Sequence, residues 1–97
     1  MESIINFFRP KNKNRAALST LRGLGFSLPR VRKALLDLNN IKLRELSLAG
    51  GLAASTLSDT IRGMKRTPAA QRLFAVTLEL EVKELFDPHE ILGDGSE

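Results

Sequence analysis

Two short, helix-patterned segments separated by a pair of glycines constrain this chain more than any other feature. Residues 43–63 read LRELSLAGGLAASTLSDTIRG. Apolar residues in each half recur at three- and four-residue spacing, which favours two helices, over about residues 42–49 and 53–62. The glycine pair breaks the first helix, and Gly63 ends the second as a left-handed C-cap. The stretch therefore predicts two helices joined by a tight turn.

Four residues of this stretch occupy positions that a helix-turn-helix motif requires. Ser47 is a small residue in the middle of the first helix, where the two helices cross. Gly51 tolerates the positive φ of the turn. Leu52 is an apolar residue directly after the turn, and Leu57 faces inward from the second helix. This spacing predicts a helix-turn-helix whose second helix presents small and polar side chains outward.

Helical patterns also fill the rest of the chain. Asn12 or Asn14 caps a first helix, which ends at two nearby glycines, and Ser27 and Thr67 cap two others that carry proline in their first turn. The predicted helices cover about residues 12–22, 27–38, 42–49, 53–62, 67–80 and 82–86. The predicted inward residues are Val31, Ala34, Leu35 and Leu38 on the second helix, and Leu73, Phe74, Val76, Thr77 and Leu80 on the fifth.

No segment alternates apolar and polar residues in the way of a half-buried strand, so we predict an all-α chain. Its 97 residues suit one domain. We expect a basic and apolar extension over residues 1–26, a helix-turn-helix domain over 27–88, and an acidic flexible tail over 89–97.

Composition narrows the class of protein. The chain has no cysteine, which excludes disulfides and thiolate metal sites and favours a reducing cytoplasm. No apolar run approaches the length of a membrane span. His89 is the only histidine, and there is no nucleophile motif or phosphate-cradling loop, so we expect no metal, no cofactor and no enzymatic activity.

The charge is polarised along the chain. Residues 1–44 have ten Lys and Arg against two acids, whereas residues 45–97 have five against nine. A basic side on a small protein is typical of one that meets a polyanion such as nucleic acid, although a solvated basic surface has the same composition.

From about residue 31 to 87, the chain resembles the lambda-repressor-like (Xre/Cro) superfamily, in which five short helices pack around a helix-turn-helix. The phrases GGLAASTLSDTIRG and TPAAQRLFAVTLELEVKELFDP are most similar to the Ner-like regulators of transposable phages. The phrase LAASTLSDTI places a small Thr60 and an apolar Ile61 near the helix end, a pattern that Ner-like proteins and HigA-type antitoxins share. Gly50 departs from the family pattern, in which an apolar residue is usual, and predicts an early end to the first motif helix. Residues 1–26 have no counterpart in the family's core.

The resemblance implies a regulator that binds double-stranded DNA, as a homodimer and with a repressor-like role. Its recognition helix would enter the major groove. The positions facing base edges are Ala54, Ser55, Ser58 and Asp59. The positions gripping the DNA backbone are Lys42, Arg44, Arg62, Lys65 and Arg66. Asp59 has two interpretations, as an acceptor from cytosine or as the partner of Arg62 on its own helix.

Two other functions stay open from the sequence. An antitoxin of the HigA type would bind DNA but have a toxin as its main partner. An adaptor would keep the fold and dock a protein through residues 4–8. The basic residues Arg9, Lys11, Lys13 and Arg15 have likewise two interpretations, as a minor-groove arm or as the polar face of an extra helix. Phe7 and Phe8 would then belong to a dimer contact or to the ordinary core.

Overall fold

The computed structural model describes residues 10–92, and most of that range is helical. It contains no β-strand between these limits, which confirms the all-α prediction. The predictions that concern residues 1–9 and 93–97, including the apolar residues 4–8, lie outside the described residues. The helices of the described range are α1 (Pro10–Gly23), α2 (Leu28–Leu38), α3 (Leu43–Gly50), α4 (Ala54–Ile61), α5 (Pro68–Leu78), α6 (Val82–Leu85) and α7 (Pro88–Leu92).

Helices α2 and α5 begin where the sequence predicts. Ser27 and Thr67 are their N-cap residues, and each is followed by a proline in the first turn. Neither side chain makes the expected capping hydrogen bond. These helices start because proline fixes a helical φ, and because the N-cap carbonyl accepts the first helical N–H, from Val31 in α2 and Gln71 in α5.

The extension before residue 27 is a packed helix over the part that the structure describes. Helix α1 already begins at Pro10, so Asn14 lies within it, and the prediction that Asn14 is a cap is wrong. Asn14 is buried, donates to the Leu78 carbonyl at 2.8 Å and accepts from Asn39 at 2.8 Å. These bonds join α1 to α5 and to the end of α2. Lys13 and Arg15 therefore lie on an extra helix rather than on an extended arm.

Two predicted core positions are wrong. Leu38 is 60% exposed and Val76 is 74% exposed. On both helices the buried face is rotated relative to the predicted stripe, and it includes a polar residue on each, Arg32 on α2 and Gln71 on α5. Helix α5 also ends at Leu78, before the predicted residue 80, because Glu79 adopts a left-handed φ of 59°.

The core is aliphatic with two phenylalanines, and it draws on every helix from α2 to α6. Each fully buried leucine contributes about 2 kcal/mol through removal of its side chain from water. The buried cluster comprises Val31, Leu35, Leu36, Leu46, Leu57, Ile61, Ala70, Phe74, Ala75, Leu78, Leu80, Leu85 and Phe86.

A charged residue sits inside this core. Arg32 is 1% exposed, and its guanidinium donates to the Ile61 carbonyl, to the Leu85 carbonyl and to the carboxylate of Glu90. It also stacks on the ring of Phe86, with 4.3 Å to the ring centre. We call these five residues the Arg32 cluster. It ties α2, the end of α4, the end of α6 and α7 to one another.

The Arg32 cluster extends beyond residue 88, the predicted end of the domain, because it includes Glu90. The flexible tail was expected from residue 89, but Pro88–Leu92 forms α7 and Glu90 is buried. The Gln71 side chain donates to the Glu90 carbonyl at 2.9 Å, and Glu90 Oε1 accepts from the Asp87 amide at 2.9 Å. The domain therefore continues through α7.

Candidate nucleic-acid interface

The predicted tight turn connects α3 to α4 and is defined by two glycines with different roles. Gly51 has a φ of 72°, which a residue with a Cβ rarely adopts, and its amide donates to the Ser47 carbonyl. Gly50 remains within α3, so the predicted early end of that helix is wrong. A Cβ on Gly50 would overlap the Leu73 side chain of α5. Glycine here allows close approach of the two helices.

Ser47 stabilises the turn directly. Its hydroxyl donates to the carbonyl of Leu52 on the far side of the glycines. The sequence predicted Ser47 as a small residue at the helix crossing, and did not predict this bond. This bond joins the end of α3 to the residue after the turn. The direction of α4 relative to α3 is therefore set both by the Gly51–Ser47 backbone bond and by the Ser47 side chain.

Helix α4 has one buried face and one accessible face. Leu57, Thr60 and Ile61 are buried, and the Thr60 hydroxyl is satisfied by the Thr56 carbonyl at 2.7 Å. Arg32 holds the last carbonyl of the helix, at Ile61. The predicted base-facing residues are exposed or half-buried, and we call them the α4 outer face: Ala54, Ser55, Ser58 and Asp59.

Asp59 forms ion pairs with two of the cations that were predicted to contact the DNA backbone. Arg62 Nη2 lies 2.8 Å from Asp59 Oδ1, and Lys65 Nζ lies 3.9 Å from Asp59 Oδ2. We call these three residues the Asp59 cluster. The interpretation of Asp59 as the partner of Arg62 is confirmed. Both cations remain largely exposed, with 63% and 51% of their side-chain surface accessible.

The other predicted backbone-gripping residues are also at the surface. Lys42 is the N-cap residue of α3, Arg44 lies in its first turn, and Arg66 follows α4, and all three are exposed. Lys42, Ser58 and Arg62 line one cavity, so the structure brings the start of α3 next to the second half of α4. Arg44 does not line that cavity.

Sequence reasoning missed Arg32, which it assigned to a basic surface. A pattern could have found it: Leu28, Arg32 and Leu36 are spaced by four residues, so the arginine lies in an apolar row of its helix. Burial lowers the pKa of Arg32 from its ordinary value, and the hydrogen bond and charge of Glu90 oppose that shift. A guanidinium nevertheless remains protonated in proteins, so the cluster contains a true ion pair.

Metal-binding groups and membrane-spanning helices are not found among the described residues. No group of three or more His, Asp or Glu residues there is arranged to hold a metal ion. None of the described helices combines the length and apolar character needed to cross a membrane. Comparison with family models, with curated proteins and with solved structures found no match to this chain.

Proposed function

We propose that this protein is a sequence-specific regulator that binds duplex DNA, with α4 as the recognition helix in the major groove. One observation supports this more than any other. A short helix anchored on its inner side by Leu57 and Arg32 presents a small, polar outer face, and exposed cations lie beside its second half and after its end. Such a face fits between base edges while the cations meet phosphates.

The resemblance to the lambda-repressor-like superfamily supports the same proposal. Helices α2 to α6 are five short helices in sequence, with the tight turn between the second and the third of them. Five short helices around a helix-turn-helix are what the resemblance implies, and α1 and α7 lie outside that set. The Ner-like phage regulators are the proposed relatives in function.

Direct reading of bases by this face would be limited. Ala54 offers a methyl contact to thymine, and Ser55 and Ser58 offer hydroxyls to a base or a phosphate. The α4 outer face has no Asn, Gln or Arg, the residues that make bidentate contacts to adenine or guanine. We therefore propose that phosphate contacts and DNA shape supply most of the affinity.

We propose further that the protein acts as a homodimer on a palindromic site. Helix α4 has eight residues and is about 12 Å long, so it spans only a few base pairs of the groove. Two copies separated by one helical turn of DNA would double the contacts and match a two-fold symmetric operator.

The test is fluorescence anisotropy with the DNA directly upstream of the protein's own gene, and with the same DNA scrambled, over a salt series. We expect tight binding to the upstream fragment and weaker, salt-sensitive binding to the scrambled one. The slope against salt concentration then gives the number of phosphate contacts. Weak binding to both fragments at low salt would contradict the proposal and favour a protein partner, such as the toxin of a HigA-type pair.

Charge reversal after α4 gives the matched mutational test. We expect Lys65→Glu combined with Arg66→Glu to weaken binding to both DNAs by at least about tenfold at low salt, because phosphates would then face carboxylates. Arg72→Glu, an exposed arginine on α5, is the single-site charge control. Unchanged DNA affinity in the double variant, with the fold retained by circular dichroism, would rule out this placement of α4.

A further inference from the structure

A cavity of about 350 Å³ lies between α2, the loop that follows it, and the second half of α4. Its apolar lining is provided by Leu36, Ile41, Leu43 and Ile61. Leu36 and Ile61 belong to the buried core, so the floor of the cavity is rigid. Its volume falls within the range of pockets that hold small molecules.

The polar lining of the cavity is mostly cationic. Lys33, Lys42 and Arg62 stand against a single carboxylate, Asp37, and the Ser58 hydroxyl is also present. Arg62 is already paired with Asp59. No ion pair joins Lys33 or Lys42 to a carboxylate of the described residues. With Arg62 neutralised by Asp59, the charges that remain in the cavity are those of two lysines and one aspartate, which is an excess of one positive charge.

We propose that this cavity binds a small organic monoanion, with an apolar chain on the Leu36–Ile61 floor and a carboxylate between Lys33 and Lys42. A charge-assisted bond from an ammonium group to a carboxylate is stronger than a neutral one, especially beside an apolar wall. An apolar body gains from burial against the four aliphatic residues. The single excess charge favours one carboxylate over a doubly charged phosphate.

Such a ligand would compete with DNA. Lys42, Ser58 and Arg62 line the cavity and also belong to the proposed DNA-binding surface. A bound carboxylate would neutralise Lys42 and repel the nearby phosphates. This consequence rests on the proposed function, whereas the binding of the ligand does not.

Octanoate is the probe, and octanamide is its uncharged counterpart. Binding is followed without DNA by methyl NMR of the full chain. We expect octanoate to shift the Leu36, Ile41 and Ile61 methyl signals saturably, and octanamide to bind at least about tenfold more weakly. No saturable shift with octanoate, or equal affinity for octanamide, would overturn the proposal.

Two variants test separately the binding of the octanoate carboxylate and of its apolar chain. Lys33→Gln removes one cation, and Ile41→Phe fills the apolar part of the cavity. We expect each to weaken octanoate binding by about tenfold. Lys13→Gln, an exposed lysine on α1 that does not line the cavity, is the control and should bind normally. Unchanged octanoate affinity in both cavity variants would overturn the assignment.

A last measurement distinguishes a ligand site from a DNA contact. We expect octanoate to displace DNA from the wild-type protein, and to need about a tenfold higher concentration to displace it from Lys33→Gln, which keeps its DNA affinity. If Lys33→Gln loses DNA binding while octanoate shifts no methyl signal, the cavity is a phosphate contact and the proposal fails. If octanoate binds as expected but neither DNA fragment does, the ligand site stands and the proposed function falls.

Discussion

The two arginine-centred groups of this molecule, the Arg32 cluster and the Asp59 cluster, use the same chemistry in opposite surroundings. Arg32 is 1% exposed and makes five hydrogen bonds, which equals the number of its N–H donors. Arg62 keeps 63% of its side-chain surface accessible and makes one such bond, to Asp59. Both guanidinium groups lie at the end of α4. That of Arg32 bonds the Ile61 carbonyl in the protein interior, and that of Arg62, the C-cap residue of α4, is at the surface.

The difference shows how surroundings decide what a charge does. A buried guanidinium is costly to desolvate, so it is stable only where all of its donors have acceptors, and removal of one partner leaves the other buried and unpaired. An exposed ion pair contributes little to stability because water competes for both partners. The first cluster therefore fixes α4 in place, while the second leaves its cations accessible to solvent.

The largest expected effect comes from removing the buried arginine. We expect Arg32→Met to lower the free energy of unfolding by about 3–5 kcal/mol, because Glu90 and two carbonyls lose their donor. Urea unfolding at neutral pH measures this loss. Lys33→Met, its exposed neighbour on α2, is the matched control and should change stability by less than about 0.5 kcal/mol. Equal losses in the two variants would contradict the difference between a buried and an exposed cation on α2.

Removing both members of the buried pair should be less damaging than removing the arginine alone. In Arg32→Met/Glu90→Leu no charge remains buried without a partner, so we expect the double variant to regain about 1–2 kcal/mol over Arg32→Met. The Ile61 and Leu85 carbonyls still lack a donor, so wild-type stability is not reached. A double variant less stable than Arg32→Met would mean that Glu90 stabilises α7 independently of the arginine.

The exposed cluster should respond in DNA binding rather than in stability. We expect Asp59→Asn to change the free energy of unfolding by less than about 0.5 kcal/mol. Under the proposed function, affinity for both upstream and scrambled DNA should rise about threefold, since Arg62 and Lys65 lose their competing carboxylate. Anisotropy titrations measure this. A loss confined to the upstream fragment would instead assign Asp59 to base reading.

A third ion pair lies between these extremes and should be sensitive to acid. Arg15 Nη2 donates to Glu84 Oε1 at 2.9 Å, and this bond helps lower the pKa of Glu84 from 4.5 to about 2. Since the folded pKa lies below the unfolded one, the stabilisation is present above about pH 4.5 and is lost as pH falls through 2.

The stability difference between wild type and Glu84→Gln should therefore be constant near neutral pH and shrink between pH 4.5 and 2. Urea unfolding at several pH values measures it, and Arg15→Gln should remove most of the same pH dependence. A difference that stays the same from neutral pH to pH 2 would contradict a role for the charge of Glu84, because glutamine can keep the bond from the Glu81 amide.

The sequence predicted helix type and position well where a single residue determines the backbone. Gly51 and Gly63 both have positive φ, and prolines follow Ser27 and Thr67, so local chemistry alone placed these helix ends. The prediction from sequence failed where contacts between residues far apart in the chain determine the structure. Nothing local reveals that Glu90 neutralises Arg32, because the two are 58 residues apart. The exposure of the predicted site residues is as expected, while their role in binding DNA stays a prediction.

The Arg32–Glu90 pair also sets an order of events during synthesis. A ribosome delivers Arg32 well before Glu90, because the two are 58 residues apart, so the guanidinium has no counter-charge in the domain until α7 is made. Helices α2 to α5 can collapse around their aliphatic residues at that stage, but the nascent domain still has a strongly unfavourable charge at its centre. The charge at the centre of the domain is neutralised only once Glu90 can reach Arg32. A truncated translation product that stops before Glu90 should therefore stay open, and be available to chaperones and proteases.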